Sequence, residues 1–165
     1  MTTHLNKKNK PQMIDVNKKK KTFRTALAEG EVKFSKITFN KIEKMKTKKG
    51  EISNIAILAG IMGAKKTSDL IPLCHNIEIE KINIDIKTNK KNHSLIVIAK
   101  VKTSGKTGVE MEALTAVSIT CLTIYDMCKS LDKSILIKKI KLLAKTGGKS
   151  DYTIIENYEK NTRKQ

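Results

Sequence analysis

Tryptophan is absent from the 165 residues, aromatic side chains make up 4%, and arginine occurs only at Arg24 and Arg163. Single-strand nucleic-acid binding draws on aromatic stacking platforms, and base readout draws on the bidentate arginine fork. The chain is poor in both, although its formal net charge is +18. That charge is nearly all lysine and favours an anionic partner: nucleic acid, a membrane surface or a polyphosphate substrate. A basic nucleic-acid-binding module without catalysis is the rival reading, resting on charge alone, and the expectation is no nucleic acid. No apolar run of about 18 residues is present, so no membrane span is expected. The basic N-terminus lacks an apolar h-region, and no basic amphipathic helix with large apolar anchors stands out. The expectation is therefore no secretory signal and no membrane partner. The three cysteines, Cys74, Cys121 and Cys128, are odd in number and lack C-x-x-C spacing. They argue for a reducing compartment, by default the cytoplasm, and against a disulfide framework.

The length suits one domain with a real core. Polar residues gather at the ends, giving a disordered basic tail over 1–12, a single domain over 13–155 and a polar tail over 156–165. Within the domain, 13–16 is a short extended candidate, and 22–34 reads as one or two strands with a break near Gly30. Residues 35–46 form a weakly amphipathic helix with a Ser35 cap, interrupted at Gly50. A stronger helix covers 53–66. Its small residues Ala56, Ala59, Gly60, Gly63 and Ala64 predict close packing, and it must end before Pro72. Alternating isoleucines at 77–86 and apolar residues at 95–101 flank the 89–92 turn, a hairpin. Residues 108–130 are apolar and long enough to read as a buried helix rather than a strand. An edge-like strand over 134–143, with Lys138, Lys139 and Lys141 exposed, leads to Gly147-Gly148. The order predicts an α+β domain with helices on one face of an antiparallel sheet.

Gly105-Lys106-Thr107 and Gly148-Lys149-Ser150 both match the tail of a phosphate-binding loop. Lys100 and Leu143 stand where the full pattern needs glycine, so neither is a P-loop. Each is either a plain turn or a place where backbone N–H groups approach a phosphate. Charges on a buried helix must be paired or used, and Glu110, Glu112, Asp126 and Lys129 punctuate this one. Asp126 and Lys129 share a face, as a functional acid–ammonium pair or as a surface salt bridge. From Glu112 to Asp126 the helix rises roughly 21 Å. If both belong to one site, a second subunit supplies one of them. His75 suits acid/base work near neutral pH. The other Cys and His are too scattered to complete a metal set beside Cys74-His75, so no metal site is expected. The profile is acid/base chemistry on a phosphorylated small molecule.

Three blocks carry a more specific signal. They are Asp69-Leu70-Ile71-Pro72-Leu73-Cys74-His75, Lys106-Thr107-Gly108-Val109-Glu110-Met111-Glu112 running on to Thr123-Ile124-Tyr125-Asp126-Met127-Cys128-Lys129, and Leu142-Leu143-Ala144-Lys145-Thr146-Gly147-Gly148-Lys149-Ser150. With Met13-Ile14-Asp15-Val16, they make residues 13–151 resemble the cyclic pyranopterin monophosphate synthase family, the molybdenum cofactor biosynthesis protein C family. The resemblance implies a ferredoxin-like domain assembled from dimers into a hexamer, with active sites at subunit interfaces. It implies a lyase that rearranges a triphosphate substrate, 3′,8-cyclo-7,8-dihydro-GTP, to cyclic pyranopterin monophosphate with release of pyrophosphate. No cofactor is required, Mg²⁺ being an optional companion of the triphosphate. By position, Asp126 resembles the catalytic acid/base residue, with Lys129 beside it and Lys49 and His75 joining the catalytic set. Leu73, Cys74, His75, Met111 and Glu112 fall where the family contacts substrate, together with Glu110, Lys145 and Asp15.

Overall fold

Twelve residues of continuous strand run through the expected break: β1 spans Thr22–Lys33. Gly30 does not interrupt it because its role is clearance. A Cβ there would stand 2.6 Å from Val117 Cγ1 and 3.0 Å from Cys121 Sγ, so the glycine lets a helix lie close on the strand. The computed structural model describes residues 4–6, 8–44 and 46–154, and for residues 44 and 46–51 the backbone alone. The tail 156–165 and residues 1–3 and 7 lie outside that range. Residues 13–16, expected to be extended, belong to no strand.

Helix α1 covers Lys36–Lys44, opened as expected by Ser35, whose Oγ accepts the Thr38 N–H at 3.3 Å. Helix α2 covers Lys46–Lys65 and includes Gly50, so that glycine does not break the chain. A single glycine costs a helix only about 1 kcal/mol, which packing further along can offset. A short α3, Thr67–Leu70, ends just before Pro72. The expected hairpin is β2 (Lys81–Asn89) and β3 (Ser94–Gly105). The buried helix is α4, Glu110–Cys128. Strand β4, Leu136–Thr146, pairs with β1 on one side and only at Ala144 and Lys145 with the two-residue β5, Tyr152–Thr153, on the other. Most of β4 is thus an edge, with Lys139 and Lys141 exposed as expected and Lys138 half-buried. Lys139 and Lys141 pair across the sheet with Glu31 at 3.1 Å and Glu29 at 3.6 Å.

All pairings are antiparallel, in the order β2-β3-β1-β4-β5. A β1–helix–β2–β3–α4–β4 path with this order is the ferredoxin-like split βαβ. The face of Ala26, Ala28, Val32, Val97, Ala99 and Val101 is fully buried under α4, and α2 packs on α4 and β2. By length and composition alone α4 is apolar enough to cross a membrane; 44% of that window is buried inside the fold, and Ala113, Ala116, Val117, Cys121, Ile124 and Cys128 are among the core residues.

The small residues of α2 explain the close packing. A Cβ on Gly60 would run into Thr120 Oγ1 and stand 2.7 Å from Ile84 Cδ1 and 2.9 Å from the Ala116 carbonyl. Gly60→Ala is therefore expected to destabilise by about 1–3 kcal/mol through overpacking, although helix propensity alone would favour alanine by about 1 kcal/mol. Urea midpoints decide the sign. Gly63→Ala should cost less, because its obstacle is the Ile119 side chain, starting with Cγ1 at 2.6 Å.

Candidate active site

The C-terminal end of β3, the start of α4 and the turn after β4 meet where β1 begins. Register brings them together: Phe23 pairs with Ser104, Thr25 with Thr146 and Ala26 with Lys145. A cavity of two adjoining lobes opens there. One, of about 200 Å³, is lined by Lys19, Arg24, Thr107, Lys145, Gly148 and Lys149 among others. Its neighbour, of about 290 Å³, is lined by Ile14, Leu73, Cys74, His75, Met111 and Glu112 among others. Lys19, Thr107, Gly108 and Glu110 belong to both. The first lobe is cationic and includes residues of both Gly-Lys turns, which the sequence left as unconnected pieces.

In the second lobe, His75 sits on the loop after α3. Its Nε2 lies 2.8 Å from the Ile14 carbonyl oxygen. A carbonyl only accepts, so Nε2 carries a proton, and Nδ1 is the ring nitrogen left to exchange one. Glu112, in the first turn of α4, is 3% exposed, and its Oε2 has no hydrogen-bond partner among the described residues. Burial pushes its carboxyl up from 4.5 to about 7; its own backbone N–H opposes this and the charge of Glu110 adds to it. Glu112 is thus poised to hold or release a proton near neutrality. Burial, and then the charge of Glu112, raises the Cys74 thiol, so Cys74 serves as a wall rather than as a thiolate. Glu110 bridges the lobes and pairs with Lys145 at 3.1 Å.

Of the residues singled out in the sequence, Leu73, Cys74, His75, Met111, Glu110, Glu112 and Lys145 line this cavity. Asp15 does not: its Oδ1 accepts the Asn17 N–H at 2.8 Å, while Ile14 and Val16 beside it are in the wall. The side chain of Lys49 lies outside the described residues. Asp126 and Lys129 form an exposed ion pair at 2.7 Å at the opposite end of α4. The hydrogen bond from Lys129 to Asp126 raises the lysine. One chain therefore does not join this pair to the His75 lobe. Among the described residues no group of three or more His, Cys, Asp or Glu could hold a metal. Arg24 and Lys19 were missed, whereas Thr107 and Lys149 had been marked only as parts of the two Gly-Lys turns; the rarity of arginine was the one signal that could have marked Arg24.

The pattern of the MoaC family matches residues 13–148, nearly the whole domain. The chain belongs to the MoaC family. Its relatives include proteins named cyclic pyranopterin monophosphate synthase. That of Helicobacter hepaticus is 53% identical over 148 residues, covering 90% of this chain and 93% of its own. That of Helicobacter pylori strain Shi470 is 52% identical over 151 residues, 91% of this chain and 96% of its own. That of Clostridium acetobutylicum is 47% identical over 148 residues, 90% of this chain and 92% of its own. The matched region takes in all of α4 and every lining residue of the two lobes except His4 and Lys149.

Proposed function

We propose that this chain is a cyclic pyranopterin monophosphate synthase of molybdenum cofactor biosynthesis, a lyase acting on 3′,8-cyclo-7,8-dihydro-GTP and releasing pyrophosphate. The observation that carries the reading is the two-lobed cavity, in which a lysine- and arginine-lined compartment adjoins one holding a histidine and a buried carboxyl. A triphosphate fits the first by charge, and the second suits the proton transfers of ring opening and rearrangement. Lys19, Arg24 and Lys149 neutralise the phosphates and the charge that develops on departing pyrophosphate. Lys145 shares that task with its Glu110 pairing. His75 Nδ1 accepts a proton and Glu112 holds one. Lys49 adds a further cation to the phosphates.

Asp126 and Lys129 act from a neighbouring subunit, in a hexamer built from dimers. Their distance from Glu112 along α4 supports this. No resident cofactor enters the scheme; Mg²⁺, where it takes part, arrives on the substrate phosphates. The protein works in the cytoplasm, where its three free cysteines stay reduced.

The test is incubation of the purified protein with enzymatically made cyclised GTP, following pyrophosphate. Stoichiometric release is expected. Intact substrate after prolonged incubation would sink the synthase reading, and salt-dependent nucleic-acid affinity would then favour the basic-module alternative.

A further inference from the structure

Ahead of β1 the backbone doubles back between His4 and Gln12. Asn6 organises this turn: its N–H donates to the Lys10 carbonyl at 2.9 Å, and its Oδ1 accepts the N–H groups of Lys8 at 2.9 Å and Lys10 at 3.0 Å. Asn9 stands at φ +55°, a left-handed conformation that asparagine tolerates, and donates to the Asn6 carbonyl at 2.9 Å. Leu5 bridges Pro11, and the Gln12 N–H donates to the His4 carbonyl at 2.9 Å. Two side chains from the cavity wall then hold the segment that follows. His75 Nε2 meets the Ile14 carbonyl at 2.8 Å, and Lys106 Nζ donates to the Asn17 carbonyl at 3.0 Å.

The segment is thus a strap tied to the domain at two points, and it closes one side of the lobe that holds His75 and Glu112. His4, Ile14, Val16 and Lys19 all line that lobe. Ile14 and Val16 are apolar wall, and Lys19 continues into the cationic lobe. His4 brings a group that both donates and accepts. The turn occupies its backbone carbonyl, whereas its imidazole makes no hydrogen bond to a described residue. The two lobes share Lys19, Thr107, Gly108 and Glu110, so one nucleotide can keep its phosphates in the first and its base in the second. A guanine-derived ring carries carbonyl and ring-nitrogen acceptors beside amino N–H donors, which suits an imidazole. His4 lies ahead of residues 13–148, which carry the family pattern, so family membership assigns it nothing.

We propose that His4 is a further substrate-contacting residue, delivered by the strap, whose imidazole hydrogen-bonds the guanine-derived ring in the histidine lobe. The identity of the ring rests on the synthase reading, but the test does not need turnover. Two probes separate the lobes. Inorganic triphosphate carries only what the cationic lobe recognises, and GTP adds a ring for the other.

Calorimetric titration of the intact protein should show GTP affinity weakened about threefold to tenfold in His4→Ala, as loss of a neutral hydrogen bond implies. Affinity for inorganic triphosphate should change by less than about twofold. His4→Gln, whose amide also donates and accepts, should recover part of the loss. Asn6→Ala keeps the imidazole but removes the acceptor that shapes the turn, and should lose GTP affinity in the same selective way. His4 is exposed, so its thermal midpoint should match the native chain's. In turnover, KM for the cyclised GTP should rise in His4→Ala more than kcat falls. GTP bound by His4→Ala as tightly as by the native chain, equal weakening of GTP and inorganic triphosphate, or no GTP binding by the native chain overturns the proposal. A selective loss of GTP affinity without turnover of the cyclised GTP by the native chain would leave it standing and sink only the synthase reading.

Discussion

Asp126→Asn is expected to lower turnover by about 10²–10⁴-fold, the range for losing a positioned proton carrier, with no measurable change in unfolding midpoint. The second half follows from exposure: the Asp126 carboxylate is 69% exposed and its Lys129 partner 58%. Exposed pairs are screened by solvent and contribute little to stability. A loss of activity would therefore report chemistry rather than folding. The same position makes a stronger test available. Fourteen residues of α4 separate Asp126 from Glu112, roughly 21 Å along the axis, and His75 lies in the lobe at the Glu112 end. If a site takes Asp126 from one subunit and His75 from another, chains carrying Asp126→Asn and chains carrying His75→Ala should complement each other. Equal mixing in symmetric dimers leaves about a quarter of the sites with both native groups. Recovery toward that fraction in co-assembled protein, against near-zero activity for each parent, is the expected result. No recovery in mixed assemblies of verified composition would mean that Asp126 and His75 do not meet across subunits.

What the sequence made legible was whatever recurs along the chain. The isoleucine alternation of β2, the apolar length of α4 and the small residues facing out of α2 are each local patterns with one tertiary consequence. Gly30 and Gly50 were misread as interruptions because a glycine needed for a helix's close approach, or tolerated inside a helix, looks the same in sequence as one that ends an element. The two Gly-Lys turns were visible, but nothing local joins positions 105 and 148. Their meeting depends on β1 lying between β3 and β4, with Phe23 opposite Ser104 and Thr25 opposite Thr146. Arg24 was missed for the same reason: its hydrogen bonds reach residues about eighty positions away. The charges of α4 were legible as an anomaly, and the fold sorts them. Glu110 and Glu112 stand at the cavity, whereas Asp126 and Lys129 stand on the outside at the far end.

Glu112→Gln should trade activity for stability, and the trade should depend on pH. In the folded chain the carboxyl titrates at about 7 against an ordinary 4.5, first because it is buried and then because the charge of Glu110, which pairs with Lys145, repels its own. Cys74 and His75 face it across the lobe. Between those two values the folded state binds a proton that the unfolded state has released, so native stability falls as pH rises through the window. Below about pH 4 both states are protonated; above about pH 8 both are ionised and the full penalty is present. A shift of about 2.5 units corresponds to roughly 3 kcal/mol. Glutamine never ionises, so the variant lacks this fall. A constant offset from its unpartnered amide, about 1–3 kcal/mol, makes the change with pH the diagnostic quantity rather than the absolute difference. Urea unfolding at pH 5 and pH 8 should show the variant gaining on the native chain by about 2–3 kcal/mol. Pyrophosphate release by the variant should meanwhile fall by about 10²-fold or more, since an amide carries no proton to the substrate. A stability difference that stays flat between pH 5 and pH 8 would show that this carboxyl does not titrate there. Glu112 would then be an ordinary ionised ligand of the cavity, and His75 would be left as its proton carrier.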